Sequence, residues 1–325
     1  MTDPLDFLIC VTCGVQYTET LESERKTCPV CDDPRQYVGP AGQCWTTLRC
    51  MRESGKYKNT FTPVIQNAPA NSGGNTISCR QLISIQTTPQ VAIGQRALLC
   101  ISPNGNILWD CITYLDDETV ATIKSYGTLH AIVISHPHYF STCLHWAEAF
   151  GCPVYISAED EEWIMRRSDD TSKMVIWSGH RKAFSPSSSS STTGDSSGED
   201  KQSEFLCVKT GGHFPGSSVF YWPAMRKLLI ADSIYVVPSG VYHIDRPLGT
   251  ASFSFMWSYP NLIPLPPDEI LKIWDAIKDL EFDDTHSAFA GRDTYGRSRQ
   301  RVLESAKIIV KAMGYNSHAI HAEEA

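Results

Sequence analysis

The stretch Ala131-Ile-Val-Ile-Ser-His-Pro-His138 passes directly from a buried-strand pattern into two histidines. Residues two apart in an extended chain point the same way, so the imidazoles of His136 and His138 can face one ion. Pro137 fixes its own backbone dihedral and stiffens the turn, which lowers the entropy lost when a metal binds. The sequence therefore predicts that this strand ends at a metal site.

Two further strand-like runs end in groups that bind metals. His213 follows the strand candidate 205–209 inside the glycine-rich turn 211–216, and Asp232 ends the apolar run 228–231. A lone buried histidine is usually a satisfied core residue, but four such groups at strand ends in one domain indicate a site. Three imidazoles with a carboxylate beside them can surround one zinc ion, and the position left by the three histidine ligands can stay open for water.

A separate pattern opens the chain, where Cys10 and Cys13 form one CxxC pair and Cys28 and Cys31 form another. Four thiolates at this spacing can hold a metal tetrahedrally, and the segment resembles a zinc ribbon as well as a rubredoxin knuckle pair. Geometry does not separate zinc from iron in such sites. Structural zinc is favoured because closed zinc sites made of four cysteines are the commoner use.

Composition limits the classes of function. The chain has 325 residues, 42% of them hydrophobic and 20% charged, which is typical of a soluble globular protein. Its net charge of -8 disfavours a nucleic-acid partner. No stretch approaches the length of a membrane span, and the N-terminus does not resemble a signal peptide. We therefore expect a cytoplasmic protein with a small-molecule substrate, no membrane or nucleic-acid partner, and a possible protein partner at its N-terminal module.

The chain divides into a zinc-ribbon-like four-cysteine module (residues 1–45) and one domain (residues 46–325). The module is polar with little apolar periodicity, so a metal is needed to hold it together. A Ser-rich insertion at 185–202 is expected to be a flexible surface loop. Predicted strands are 81–86, 97–102, 107–110, 131–134, 154–156, 205–209, 218–222 and 228–231, and predicted helices are 117–125, 142–150, 159–167, 268–280 and 297–313. Strands that alternate with helices indicate a layered sheet protein with helices outside.

Over residues 60–313 the chain resembles the metallo-β-lactamase superfamily. The matching stretches, in chain order, are Asn106-Ile-Leu-Trp-Asp110, His136-Pro-His138, Gly212-His-Phe-Pro-Gly216, Leu228-Leu-Ile-Ala-Asp232 and Phe282-Asp-Asp-Thr-His286. The resemblance implies an α/β fold, the four-layer αββα sandwich, with the metal site at the strand edges.

The resemblance also implies roles for single residues. His136, His138 and His213 would bind the first zinc, Asp232 would border both metal positions, and His286 would serve the second. Asp110 would orient the site from behind the ligands, as metal-binding histidines generally require.

The chain departs from the family's HxHxDH pattern, because Phe140 and Ser141 stand where the pattern has Asp and His. Those two residues normally hold the second metal, so we expect one catalytic zinc here in addition to the structural one. His145 could substitute as a ligand, but a place on the face of the following helix is favoured.

The expected activity is that of a zinc-dependent hydrolase. Zinc lowers the pKa of its bound water to about 7, and the resulting hydroxide would attack an ester, thioester or lactone carbonyl. Asp232 could accept the water proton or act as the fourth ligand, and His286 could donate a proton to the leaving group. Phosphodiesters rank lower because they profit from two metals.

Two alternatives stay open at this point. Phe140 and Ser141 are compatible with a catalytically weak or inactive protein of this fold that acts as a binding or scaffold module. Rubredoxin-like knuckles joined to this sandwich also resemble flavodiiron oxygen reductases, which would make the chain an iron-containing redox protein. That family needs carboxylates around two irons, and this chain lacks them.

Segment 241–246 is a candidate wall of the substrate pocket.

Overall fold

The structure, a computed structural model, describes residues 2–64, 80–185, 203–242, 247 and 249–325. Residues 186–202 of the predicted Ser-rich insertion lie outside the described residues. The same holds for residues 243–246 of the predicted pocket segment.

The N-terminal module is a small antiparallel sheet followed by a short helix. Its strands are β1 (Phe7–Cys10), β2 (Gln16–Thr20) and β3 (Trp45–Thr46), in the order β2-β1-β3, and the helix is α1 (Leu48–Glu53).

A seven-stranded sheet follows, and two helices interrupt its strands. It consists of β4 (Lys58–Pro63), β5 (Gln81–Thr88), β6 (Ala97–Ile101), β7 (Asn106–Trp109), β8 (Leu129–Val133), β9 (Val154–Ser157) and β10 (Met174–Trp177) in sequential order. The helices are α2 (Asp117–Ser125) and α3 (Cys143–Phe150). The sheet is antiparallel from β4 to β7 and parallel from β7 to β10.

The remaining elements, in chain order, are β11 (Arg181–Phe184), β12 (Phe205–Lys209), β13 (Ser218–Trp222), β14 (Lys227–Leu229), β15 (Tyr235–Val236), α4 (Pro238–Val241), β16 (Phe253–Ser254), β17 (Met256–Ser258), β18 (Ile263–Pro264), α5 (Pro267–Ile277), β19 (Asp284–His286) and α6 (Ser298–Ala312). Five of these strands form a second sheet in the order β11-β12-β13-β14-β19. The short strands β15 to β18 form two two-stranded sheets, β15-β16 and β17-β18, outside the main sheets.

Local sequence sets several helix ends. Helix α2 begins after Asp116, whose carboxylate accepts a hydrogen bond from the Thr119 backbone N–H and so caps a free donor of the first turn. Helix α3 ends at Gly151, which adopts the left-handed conformation that only glycine reaches without strain. Pro267 starts α5, where a missing N–H costs nothing.

The two sheets pack face to face. Along β6, Leu98 and Cys100 point into the core between the sheets, whereas Leu99 points to the outer face of the first sheet, as the two-residue period of a strand requires. Phe220 stands at the centre of the inter-sheet core, stacked on Trp109 and Phe205 with ring centroids 5.2 and 5.4 Å apart.

Helices cover both outer faces. Trp146 of α3 packs on the first sheet, and Trp274 of α5 with Val302 of α6 packs on the second. The layers are therefore helices, sheet, sheet, helices, and the predicted αββα sandwich is confirmed.

The four-cysteine module does not stand apart from the sandwich. Its apolar side chains, Val15 and Val30 among them, join the hydrophobic core on the outer face of the first sheet. Gly14 has a φ of 82°, and a Cβ atom there would lie 2.0 Å from the Thr113 hydroxyl oxygen. Glycine at this position therefore permits the close approach of module and sandwich.

The predicted helix at residues 159–167 is wrong. A short 3-10 turn (Ala158–Trp163) stands there instead. The Asp160 carboxylate accepts a 2.7 Å hydrogen bond from the Gly216 N–H, and Glu159 pairs with Lys209. These contacts tie the turn to the second sheet, so no regular helix continues.

Within the described residues, every helix is too short or too polar to cross a membrane.

Replacing Phe220 with alanine should test the inter-sheet core. Because the ring is fully buried between two aromatic partners, Phe220→Ala should lower the free energy of unfolding by about 3–5 kcal/mol. Chemical denaturation measures the loss. Tyr242→Ala, which truncates a side chain that is 78% exposed, is the matched control and should change stability by no more than about 0.5 kcal/mol. Similar losses in both variants would contradict the inter-sheet assignment.

Candidate metal centre

The ends of three strands from two sheets meet at one edge of the sandwich. His136 and His138 follow the end of β8, His213 follows the end of β12, and Asp232 follows the end of β14. One donor atom from each of these four residues lies within 4.8 Å of the others. Beside them, the Ser218 N–H of the second sheet donates to the Ser135 carbonyl of the first at 3.0 Å. The structure therefore brings together the four residues that the sequence indicated.

The distances within the cluster are those of a coordination shell. Asp232 Oδ2 lies 3.3 Å from His136 Nε2, 3.6 Å from His138 Nδ1 and 3.8 Å from His213 Nε2. His213 Nε2 lies 3.3 Å from His138 Nδ1. Four ligands around one zinc at the usual bond length stand about 3.4 Å apart. Asp232 Oδ2 thus lies where a fourth ligand of one cation would stand, which is one of the two roles that the sequence left open for this residue.

Neighbouring groups hold the donor atoms in place. His213 Nδ1 lies 3.3 Å from the Met256 carbonyl, which only accepts, so the proton belongs on Nδ1 and the lone pair of Nε2 is free. His136 Nδ1 contacts the Ser135 hydroxyl at 2.9 Å. The buried Nε2 atom of His136 has no hydrogen-bond partner among the described residues. A buried nitrogen without a partner is costly unless a ligand satisfies it.

Sequence reasoning missed two tyrosines that fix the carboxylate. The Tyr139 hydroxyl donates to Asp232 Oδ1 at 3.2 Å, and the Tyr259 hydroxyl donates to the Asp232 backbone carbonyl at 2.7 Å. Tyr139 stands two residues after Pro137, and only the packing of the turn shows that its ring reaches Asp232. The two contacts leave Oδ2 facing the imidazoles.

The charge of the cluster fits a divalent cation. Burial lowers the pKa of His136 to about 4 and holds the pKa of His213 well below its usual value, so both rings are neutral at pH 7. Burial alone would raise the pKa of Asp232, but the imidazoles, with His136 foremost, outweigh it and hold that pKa well below the usual range. Neutral imidazoles around a buried carboxylate are the donor set of zinc and similar ions.

Asp110 lies behind the cluster. Its Oδ1 accepts a 2.7 Å hydrogen bond from the Ser135 backbone N–H, and its backbone has a φ of 61°. Asp110 therefore contacts the backbone that leads into His136 rather than an imidazole ring. Burial, supported by the nearby Asp232 charge, raises the pKa of Asp110 to about 8.

His286 does not join the cluster, contrary to the expectation that it would serve a second metal or donate a proton. Its Nε2 lies 3.1 Å from Lys227 Nζ and its Nδ1 lies 3.6 Å from an Asp293 carboxylate oxygen. Strand β19 runs parallel to β14, and this register directs the imidazole to the lysine, which is buried and also paired with Asp284. An ammonium group thus lies beside the imidazole that the sequence indicated as a ligand of a second metal.

The residues that replace the family's second pair of ligands serve packing. Phe140 is buried in the hydrophobic core on the outer face of the first sheet. The Ser141 hydroxyl donates to the Cys111 carbonyl at 3.3 Å, and the Ser141 carbonyl accepts from the Gln16 N–H of the four-cysteine module at 3.0 Å. His145 lies on α3 beside Glu148, 3.9 Å away, and is outside the cluster.

The four cysteines of the module form a second group of donors. The Sγ atoms of Cys10 and Cys31 are 3.6 Å apart, and those of Cys13 and Cys28 are 3.8 Å apart. These separations are too long for disulfides and match the edge of about 3.8 Å expected for four thiolates around one zinc. Backbone N–H groups of Gly14 and Asp32 close the two knuckles on the Cys10 and Cys28 carbonyls.

A cleft of about 590 Å³ leads to the histidine cluster, and the four-cysteine module forms one of its walls. Its lining comprises Val11, Thr12, Arg35, Gln36, Tyr37 and Gly39 from the module, together with Gln90, Ala92, Ile93, His138, Asp232, Tyr235, Tyr259, Pro260 and Phe289. The polar composition of residues 32–40 gave no signal that this segment borders the site.

The fold and the site together define a metallo-β-lactamase-fold protein that carries a four-cysteine module. No family model matches the chain. It is 36% identical over 321 residues to the uncharacterized protein YmaE of Bacillus subtilis (strain 168), an alignment that covers 98% of this chain and 100% of that protein. The chain belongs to the same family as YmaE.

The chain is also similar to two solved structures at low identity. A metallo-β-lactamase from Pontibacter korlensis is 12% identical with a TM-score of 0.46 and aligns over 77% of this chain and 99% of its own. The apo chemotaxis sensor ODP from T. denticola is 14% identical with a TM-score of 0.47 and aligns over 79% and 100%. Because both TM-scores lie below 0.5, the fold is assigned from the layers and strand order of this chain.

Metal content tests the two groups of donors directly. We expect about two metal ions per chain in purified protein, because each group has four ligands at coordination distances. The double variant His136→Ala/His213→Ala should retain about one, measured by elemental analysis. The control His145→Ala/His180→Ala removes two histidines outside the cluster and should retain both. An unchanged metal content in the first variant would disprove the histidine site.

Asp110 should make the stability of the metal-free protein depend on pH. The folded pKa of about 8 is raised above the unfolded value of about 4, so the folded state keeps a proton that the unfolded state releases. The contribution of Asp110 to the free energy of unfolding should therefore fall as pH rises from about 4 to about 8, by up to about 1.4 kcal/mol per pH unit.

Asp110→Asn removes this charge and keeps an acceptor for the Ser135 N–H, so the variant should gain stability over the wild type as pH rises. Denaturation at several pH values in the presence of a chelator measures the difference. Asp117→Asn changes a fully exposed carboxylate and serves as the control with an unchanged slope. Parallel curves for Asp110→Asn and the wild type would refute the assignment.

Proposed function

We propose that the protein is a metal-dependent hydrolase that acts on the carbonyl of an ester, thioester or lactone. The observation that carries the proposal is the convergence of three imidazole nitrogens on Asp232 Oδ2 at the base of a cleft. A divalent cation held there would polarise a substrate carbonyl and lower the pKa of a coordinated water. Of the four donors, His138 and Asp232 line the cleft, so a substrate reaches the centre from their side.

The residues around Asp232 support a role for its carboxylate as a metal ligand. Tyr139 engages one carboxylate oxygen and leaves the other directed at the imidazoles. This arrangement supports Asp232 as the fourth donor over Asp232 as an acceptor of the water proton. His286 is not retained as a proton donor, because its ring nitrogens face Lys227 and Asp293.

The lining of the cleft supports an uncharged acyl substrate. Tyr37, Tyr235 and Phe289 present aromatic surface, and Gln36 and Gln90 offer amide groups for hydrogen bonds to carbonyl oxygens. Among the described residues of the lining, Arg35 is the one ionic side chain apart from the metal ligands, and an Asp33 carboxylate already balances its charge. One cation site also favours carbonyl substrates over phosphodiesters, which profit from two metals.

We propose zinc for both centres, one catalytic in the histidine cluster and one structural in the four-cysteine module. The nitrogen and carboxylate donors of the first and the four thiolates of the second are the usual ligands of zinc. All the cysteines in the described parts of the chain are free, which supports a reducing compartment such as the cytoplasm. A red, iron-containing preparation would favour the redox alternative instead.

A screen of chromogenic esters, thioesters and lactones tests the activity. Wild-type protein should hydrolyse at least one class, and His138→Ala should lower kcat/KM by at least about 1000-fold because a ligand of the activating cation is lost. His145→Ala removes a half-buried histidine outside the cluster and should keep full activity. Equal rates in the wild type and His138→Ala would contradict the assignment of the histidine cluster as the site of hydrolysis. A protein with both metals and no turnover would favour the scaffold alternative.

A further inference from the structure

The segment that follows the second cysteine pair, residues 33–37, reaches from the four-cysteine module to the histidine cluster. The N–H groups of Cys31 and Asp32 both donate to the Cys28 carbonyl, at 2.8 and 2.9 Å, so the knuckle sets the direction in which the chain leaves the module. Three residues after Asp32, Arg35 enters the cleft and retains only 9% of its exposed surface.

Arg35 is fixed from three sides. Its Nη1 donates to the His213 backbone carbonyl at 3.0 Å, and its Nε and Nη2 donate to the two oxygens of Asp33 at 2.7 and 2.6 Å. The guanidinium lies over the ring of Phe214, 3.8 Å from the ring centroid. One side chain of the module thus holds both the backbone of a metal-ligand candidate and the ring next to it.

A second contact runs from the same segment to the other side of His213. The Pro34 carbonyl accepts hydrogen bonds from Ser258 Oγ and Asn261 Nδ2, both at 2.7 Å. Ser258 ends β17, and Met256 at the start of that strand provides the carbonyl that His213 Nδ1 contacts. Residues 34 and 35 therefore contact both the backbone of His213 and the strand that orients its ring.

We propose that Arg35 is a positioning residue of the histidine centre, through which the four-cysteine module sets how tightly that centre holds its cation. The inference rests on the proposed role of the centre as a metal site. Because Asp33 balances the charge of Arg35, the effect is one of orientation: without the guanidinium, the His213 carbonyl loses this donor, and the Asp33 carboxylate keeps the hydrogen bond from the Arg35 backbone N–H. Loss of a group that orients a ligand typically weakens metal binding by about 10- to 100-fold.

Cobalt binding to metal-free, full-length protein under reducing conditions tests the proposal without turnover. Thiolate-to-cobalt charge-transfer bands report the four-cysteine centre, and visible bands without thiolate character report the histidine centre. Arg35→Ala should weaken cobalt binding at the histidine centre by about 10- to 100-fold and alter its visible spectrum. The thiolate bands in the same sample should keep their intensity and affinity, which shows that the module is intact.

The module offers a matched control in Arg25, which also pairs with a carboxylate, Glu19, and lies over an aromatic ring, Tyr17, but contacts none of the described residues that line the cleft. Arg25→Ala should leave the histidine centre unchanged. Arg35→Lys keeps the charge but not the rigid three-way hydrogen bonding, so about a tenfold weakening is expected. If Arg35→Ala does not fold, Arg35→Lys carries the test.

Wild-type affinity and spectrum in the Arg35 variants would overturn the proposal, as would an equal loss in Arg25→Ala. A hydrolase screen that finds no substrate leaves the cobalt result valid, and then the proposed function fails while the role of Arg35 stands. Turnover that depends on His138, combined with unaltered cobalt binding in the Arg35 variants, would support the proposed function and overturn the role of Arg35.

Discussion

A buried carboxylate surrounded by three imidazoles is the constraint on which the rest of this structure depends. Asp232 and its partners come from both sheets, so the cluster exists only when the two sheets pack with their strand ends at one edge. Such a group of donors is costly to bury without a cation, because the buried Nε2 atoms of His136 and His138 have no hydrogen-bond partner among the described residues. The cost is concentrated at the edge where the cleft opens, and a metal bound there would relieve it.

The four-cysteine module and the altered motif belong to one arrangement. Where the family pattern has two further ligands, this chain has Phe140 in the core and Ser141 bonded to Gln16 of the module. These two positions thus pack into the core and against the module, and the module in turn closes one side of the cleft. Lys227 beside His286 completes the change, since a buried ammonium group stands near the remaining ligand candidate.

Much of the fold followed from local patterns. Short apolar runs predicted the boundaries of β12 and β13, and the predicted start of α2 at Asp117 is the observed one. The helix predicted at residues 159–167 was wrong because the contacts that Asp160 and Glu159 make to the second sheet outweigh the helix-forming composition of the segment. No short-range pattern carries that information, since Gly216 lies 56 positions from Asp160.

The sequence by itself determined the types of donor, their places at strand ends and the pairing of the cysteines into two knuckles, because each depends on residues a few positions apart. Only the tertiary structure decided which donors meet. His138 and His213 are 75 positions apart, and Arg35 lies 178 positions from the carbonyl it holds. Strand register turned His286 toward a lysine, and sheet packing turned Asp232 toward the histidines. Such choices depend on the packing of whole layers, which no local pattern of residues encodes.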